Sequence, residues 1–400
     1  MENEFTLKYL GICENQEPLF IEKIEIKKRV MKLRIPFEAS YGRFNYLTRL
    51  FPVITFRTQS GEHITGIGEC SPLNAPSYNY ECCETVEAAL RYIIAGLTGK
   101  KIEEADGFAD KNSAPVTDVI SFIEKYKWIT GHNMAKAGVE GAYWDAAAKL
   151  NRTSVSKLWG GSRTEVETGT SVGLEPSIDK LMNKIDIAVQ QMKVARIKIK
   201  VKPGRDVLYL DAIRKRYPDI RLQVDANAAY DLFNTEHLAL LKEFDNYDLS
   251  MIEQPGCNDD ILDHSRRLAG LNTPICLDES ILHAIHARQA IELWEQYSSI
   301  DKLIINVKPP RVGGYLEAIK IAKLCSAKGV SVWCGGMYES VIGKTANVHF
   351  SSRAEVNLPG DHISQAPYFY NDVADAPVYK EGRIVVPNGT GWGLSNLNLD

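Results

Sequence analysis

From Trp159-Gly160-Gly161 onward the chain repeats a unit: a short apolar segment, then an amphipathic helical stretch, at intervals of mostly 23 to 30 residues. Strand-like segments end near Val172, Lys200, Asp225, Glu253, Asp278, Lys308, Cys334 and Asn357. Such alternation is the signature of βα units round a parallel sheet, and eight of them are what a closed (β/α)8 barrel requires. An open doubly wound sheet is the alternative. It would bring a glycine-rich phosphate turn after its first strand, and Val172-Gly173-Leu174-Glu175 has none. Helix signals fit the repeat: Asn234 stands as N-cap before Leu238, Leu240, Leu241 and Phe244, and Glu317 to Leu324 follow the flexible pair Gly313-Gly314.

The first 150 residues have another texture. Ile24 and Ile26 alternate with polar residues, Val53 to Phe56 is rich in β-formers, and Ser60-Gly61 marks a turn before His63 to Glu69, so a small antiparallel sheet is expected. Residues 82–98 and 133–150 carry helical spacing. The expected organisation is an α+β domain over residues 1–150, a barrel over 151–366, and a tail over 367–400 that packs back on the first domain. Two domains also suit 400 residues, more than one core usually organises.

Composition narrows the partners. A net charge of -4 gives no basic field for nucleic acid, and no apolar run reaches the ~18 residues that span a bilayer. The start Met1-Glu2-Asn3-Glu4 lacks the features of a secretory signal, so a cytoplasmic location is expected. The eight cysteines have no zinc-ligand spacing and read as reduced, buried thiols.

Side chains alternate between the faces of a strand, so in Arg196-Ile197-Lys198-Ile199-Lys200 both lysines share one face and point into the barrel. The same rule turns Asp225, Glu253 and Asp278 inward at the ends of three consecutive strands, where barrel enzymes hold their active sites. Three converging carboxylates call for a cation, and hard oxygen donors suit Mg2+, with Mn2+ as substitute, better than Zn2+. Lys308 shares the inward face of Asn306 and enters from the opposite side to Lys200. A lysine beside a second lysine and a divalent cation gives up its proton more readily, which makes Lys200 the expected base and Lys198 either its tuning group or a hold on a substrate carboxylate. The reaction such parts serve is removal of a proton beside a carboxylate, through an enediolate.

In order along the chain stand Lys198-x-Lys200, Gln223-Val224-Asp225-Ala226-Asn227, Ile252-Glu253-Gln254-Pro255, Leu277-Asp278-Glu279-Ser280, Asn306-Val307-Lys308-Pro309 and Cys334-Gly335-Gly336-Met337. This set resembles the muconate-lactonizing-enzyme branch of the enolase superfamily. Within that branch it is most similar to the o-succinylbenzoate synthase and N-succinylamino acid racemase group, which also matches Gly131-His132-Asn133-Met134-Ala135-Lys136-Ala137. The resemblance implies a modified (β/α)8 TIM barrel with an α+β N-terminal capping domain completed by the C-terminal tail. It also implies Mg2+ on Asp225, Glu253 and Asp278, acid/base work by Lys200, and Lys308 as either a fixed cation or a second acid/base.

The implied reactions are syn dehydration of a cyclohexadiene carboxylate on the route to menaquinone, or racemisation of an N-succinylamino acid. Implied substrate contacts are Ser171, Asn227, Gly335, Gly336, Tyr41 on a closing loop, and Arg311, which matches an arginine that accompanies racemase activity, although Pro310 replaces the usual glycine before it. Dipeptide epimerases normally carry Asp-x-Asp where this chain has Asp361-His362-Ile363. A non-catalytic metabolite-binding barrel is the remaining alternative. The expected partners are a small-molecule carboxylate and further copies of the chain in a homo-oligomer. Lys202 reads as solvent-facing, His283 and His286 as helix surface rather than a metal pair, and His132 as fixing the start of its helix.

Overall fold

A computed structural model describes all residues except 1–4, 15–16, 40–41, 111–112, 205 and 363–367. Three antiparallel strands open the chain: β1 (Phe20–Ala39), β2 (Gly42–Arg57) and β3 (His63–Ile67), ordered β1-β2-β3. Helices α1 (Cys83–Thr98) and α3 (Asn133–Leu150) pack on this sheet, and α2 (Val119–Glu124) packs on α3. In α3 the residues from Ala137 to Ala148 are all buried, as befits a helix enclosed on every side. Glycine allows its close approach to β3. A Cβ on Gly66 would lie 1.9 Å from the Ala142 carbonyl oxygen, and one on Gly68 equally close to that of Gly138.

His132 is the residue before α3, but its side chain makes no capping bond. Glu81 does that work, accepting from the Met134 backbone nitrogen at 2.8 Å. A carboxylate from a distant loop therefore fixes the helix start, a contact that local spacing does not contain.

A short strand, β4 (Glu165–Glu167), precedes the parallel sheet of β5 (Gly169–Val172), β6 (Arg196–Lys200), β7 (Leu222–Asp225), β8 (Ile252–Glu253), β9 (Ile275–Leu277), β10 (Leu303–Val307) and β11 (Ser331–Cys334). Their order is sequential, each strand beside the next. The eighth strand expected near Asn357 is not a strand. That segment still closes the ring: Leu358 N donates to Val332 O at 3.1 Å, Asp361 N to Cys334 O at 2.9 Å, and Gly169 N to Gly360 O at 2.8 Å. Pro359 has no N–H to give a ladder, which explains why the closure is irregular.

The tail divides its contacts. β12 (Tyr379–Lys380) and β13 (Arg383–Val385) form a small sheet with β4. Phe369 bridges to Leu33 of β1, and Trp392 Nε1 donates to Ile67 O at 2.7 Å, so other tail residues lie against the first sheet. All eight cysteines are free thiols, and two of them, Cys13 and Cys257, are exposed rather than buried. Among the described residues no helix is long and apolar enough to cross a membrane.

Candidate active site

Parallel pairing sets Lys200 beside Asp225 and Asp225 beside Glu253, so the lysine and the carboxylates are lateral neighbours at the strand ends. Asp278 follows directly on β9, and Lys308 on β10. Lys200 Nζ donates to Asp225 Oδ2 at 2.6 Å and to Asn227 Oδ1 at 2.5 Å. Lys198 Nζ donates to Glu253 Oε2 at 3.0 Å and stands 3.2 Å from Asp225 Oδ2 and 3.0 Å from Asp361 Oδ2. From the other side Lys308 Nζ donates to Asp278 Oδ2 at 2.8 Å and to the Tyr78 hydroxyl at 3.0 Å.

These charges set one another. Burial opposes the Lys308 ammonium, yet Tyr78, Glu279 and Glu253 around it more than offset that cost and hold its pKa well above the ordinary lysine value. Lys198 is raised in the same way by Asp361, Glu253 and Asp225. Asp225 is also buried, but Lys200 and Lys198 pull it well below the usual carboxylate range. Glu253 moves the other way, raised by burial and by Asp225.

Ser171, Lys198, Lys200, Asn227, Lys308 and Gly336 line one cavity, with Asp225 in its wall. Glu253 and Asp278 are buried beneath it. Gly335 lies off the lining; a Cβ there would come within 2.7 Å of Lys308 Cε, so its glycine makes room for that lysine. Arg311 also lies off the lining. It is fully buried, donating to the carbonyls of Ile281 and Asn306 and to Asp278, so it braces Asp278 from behind. Tyr41 falls outside the described residues. His283 and His286 sit in contact, 4.0 Å between ring centroids, away from this cavity. Lys202 is exposed.

Sequence reasoning passed over several residues of the site. Tyr78, from the loop before α1, donates to Asp278 at 3.3 Å and lines the cavity with Tyr368, which was also passed over, and with Asp361 and Tyr338, both singled out from the sequence. Nothing local in Ser77-Tyr78-Asn79 marks it. Arg196 pairs with Asp361 and stands two residues before Lys198, so strand alternation alone would have found it.

An enolase C-terminal domain-like profile matches residues 180–396, and a mandelate racemase / muconate lactonizing enzyme N-terminal domain profile matches residues 22–160. The chain belongs to the enolase superfamily. A Bacillus subtilis relative named o-succinylbenzoate synthase is 38% identical over 95% of this chain and 95% of its own length. An Amycolatopsis relative named N-succinylamino acid racemase is 36% identical over 94% of each. The crystal structure of an enolase-superfamily protein from Listeria innocua superposes with a TM-score of 0.83 at 33% identity, covering 95% of both chains.

Enolase-superfamily enzymes generally use a divalent metal, and the donor chemistry here fits one. Asp225, Glu253 and Asp278 supply hard oxygen ligands from adjacent strands, and the raised Glu253 marks a carboxylate short of positive charge. Among the described residues no three acidic, histidine or cysteine side chains are drawn together tightly enough to enclose an ion as they stand. Each carboxylate is turned to a long side chain instead, Lys200 to Asp225, Lys198 to Glu253, and Lys308 to Asp278.

Proposed function

We propose that this protein is an o-succinylbenzoate synthase that dehydrates 2-succinyl-6-hydroxy-2,4-cyclohexadiene-1-carboxylate with syn geometry, using Mg2+ or, in its place, Mn2+. The carrying observation is that two lysines enter one cavity from opposite sides with unlike surroundings. Lys200 touches a carboxylate and a neutral amide, whereas Lys308 is enclosed by Tyr78 and Asp278 and held as a cation. A syn dehydration needs that asymmetry: one group that takes and returns a proton on one face, and a fixed positive charge on the other.

Asp225, Glu253 and Asp278 would hold the metal, which when bound draws charge into the substrate carboxylate and so acidifies the neighbouring C–H. Lysine general bases paired with Mg2+ are the known pattern of this superfamily. Lys200, as the free amine, takes that proton; as the ammonium it returns it to the departing hydroxyl, so that water leaves and the ring becomes aromatic. Lys198 neighbours the carboxylate position, and Lys308 offsets negative charge from the far face. Charge balance supports a dicarboxylate: Asp225, Glu253, Asp278, Glu279 and Asp361 stand against Arg196, Lys198, Lys200, Lys308 and Arg311. A dication and a dianion enter such a site without changing its net charge.

The second reading is N-succinylamino acid racemase, favoured by the relative so named and by a lysine on each face. Racemisation requires Lys308 to act as a base for one enantiomer, against the surroundings that keep it charged. Assays of the purified protein with Mg2+ on both substrates test the proposal: conversion of the cyclohexadiene carboxylate supports the synthase, and turnover of the succinylamino acid alone replaces it with the racemase. A cytoplasmic homo-oligomer serving menaquinone synthesis belongs to the same proposal, and light scattering on the purified protein tests the assembly.

A further inference from the structure

We infer that Glu279 is a positioning residue for the base: it fixes the side-chain amide of Asn227, and through that amide the direction in which Lys200 presents its nitrogen. The inference rests on the reading of Lys200 as the base. Three side chains from separate parts of the barrel form the link. Lys200 Nζ donates to Asn227 Oδ1 at 2.5 Å, and Asn227 Nδ2 donates to Glu279 Oε1 at 2.9 Å. Lys200 ends β6, Asn227 lies just beyond β7, and Glu279 lies just beyond β9.

The polarity of the link is dictated by its two ends. Lys200 offers an N–H as ammonium or as free amine and a carboxylate only accepts, so one of the two orientations of the asparagine amide serves both neighbours and leaves the amine lone pair for the substrate. In the flipped orientation Nδ2 would face the Lys200 nitrogen and Oδ1 would face the carboxylate, two repulsive contacts in place of two bonds. Glu279 therefore selects the orientation that turns the amide oxygen to the base.

The backbone leaves this as the remaining freedom. Asn227 sits in the left-handed region at φ 42°, a conformation asparagine tolerates better than most residues, and its backbone nitrogen donates to Asp225 Oδ1 at 3.1 Å. The next residue, Ala228, is tied by its nitrogen to Gln254 O at 2.8 Å. With the main chain pinned on both sides, rotation of the amide is what Glu279 removes.

Stability alone does not account for Glu279. Its side chain is buried, with the residue 7% exposed, and Oε2 has no hydrogen-bond partner among the described residues. A buried carboxylate so sparsely bonded costs folding energy that a neutral side chain of similar size would avoid. Besides its charge near Lys308, what the position offers in return is the directed bond to Asn227, which leads to the base.

The test is steady-state kinetics of the Mg2+-loaded enzyme on the synthase substrate, with Mg2+ affinity and melting temperature measured alongside. For Glu279→Ala, kcat is expected to fall about 10- to 100-fold with KM changed far less, the scale seen for residues that orient a working group. Glu279→Gln can still accept from Asn227 Nδ2 and is expected to recover most of that loss. Asn227→Ala, which leaves Glu279 in place, is expected to lower kcat comparably, and Glu279→Ala added to it to cost little more. Wild-type kcat in Glu279→Ala or in Asn227→Ala, additive losses in the double variant, or Glu279→Gln as impaired as Glu279→Ala would each overturn the inference. So would a loss explained wholly by weaker Mg2+ binding. Lys200→Ala separates the two levels: full activity in that variant removes the base assignment itself, while an inactive Lys200→Ala beside an unaffected Glu279→Ala removes only the role of Glu279.

Discussion

Lys308 and Tyr78 meet where the first domain touches the barrel: the ammonium nitrogen lies 3.0 Å from the phenol oxygen and 4.6 Å from the ring centroid. The same hydroxyl donates to Asp278 and receives Arg311 Nη1 at 3.3 Å. One side chain from outside the barrel thus stands at the centre of the far wall of the site. Tyr78→Phe keeps the ring and its hold on the cation but deletes the hydroxyl, so it is expected to cost about 1–3 kcal/mol of stability and to lower turnover less than Lys308→Ala does. Denaturant melts and kcat for both variants check this; equal damage from the two would contradict it.

Lys308 distinguishes the two candidate reactions. Lys308→Ala is expected to abolish any racemisation while exchange of the α-proton with solvent continues for the enantiomer that Lys200 serves. Proton NMR in deuterated buffer reads this directly. Loss of exchange for both enantiomers would show that Lys308 is needed even for the step assigned to Lys200.

Two buried glutamates, Glu81 and Glu140, and the half-buried Glu14 give stability a pH-dependent contribution. Burial pushes Glu14, Glu81 and Glu140 up to about 7. In the unfolded chain such groups ionise near ~4.3, so between there and about 7 the folded state binds more protons and stability falls as pH rises. Asp361 has the opposite sign: buried, but drawn low by Lys198 and Arg196, it loses its contribution only as the solution becomes strongly acidic. Burial lowers His349 and His362 to about 4, which works in the opposite sense over the same range, so the glutamate contribution is read as a difference between wild type and variant. Glu140→Gln, which still accepts from Trp144 Nε1 and the Leu316 nitrogen, is expected to gain melting temperature relative to the wild type as pH rises from about 5 to about 8 in calorimetry. A difference between the two proteins that does not change with pH would contradict the assignment.

Metal dependence should appear in folding as well as in turnover. Chelation is expected to abolish activity and Mg2+ to restore it. Mg2+ at about one hundred times its dissociation constant is expected to stabilise the fold by ~2.7 kcal/mol, because only the folded chain gathers the three carboxylates. Asp225→Asn should lose both effects; a variant that kept the thermal shift would place the ion elsewhere.

Much of this site was legible because strand periodicity is simple. Alternation put Lys198 and Lys200 on one face, and the βα spacing put Asp225, Glu253 and Asp278 at one rim. Long-range contacts were the part that escaped. Tyr78 reaches Asp278 across 200 residues of sequence, and Glu81 caps α3 across 53. The segment near Asn357 falls at the interval of an eighth strand, but Pro359 has no N–H for a ladder and the segment pairs irregularly. Arg311 was expected at the substrate; only the fold reveals that its guanidinium is spent on Asp278 and two carbonyls.

The central claim is that Lys200 moves the proton in a metal-assisted dehydration. Its most direct test is turnover of 2-succinyl-6-hydroxy-2,4-cyclohexadiene-1-carboxylate by the Mg2+-loaded wild type and Lys200→Ala, followed by ultraviolet absorbance. Efficient conversion by the wild type and a loss of at least about 10²- to 10⁴-fold in the variant is the expected result. Equal turnover by the two proteins would contradict it.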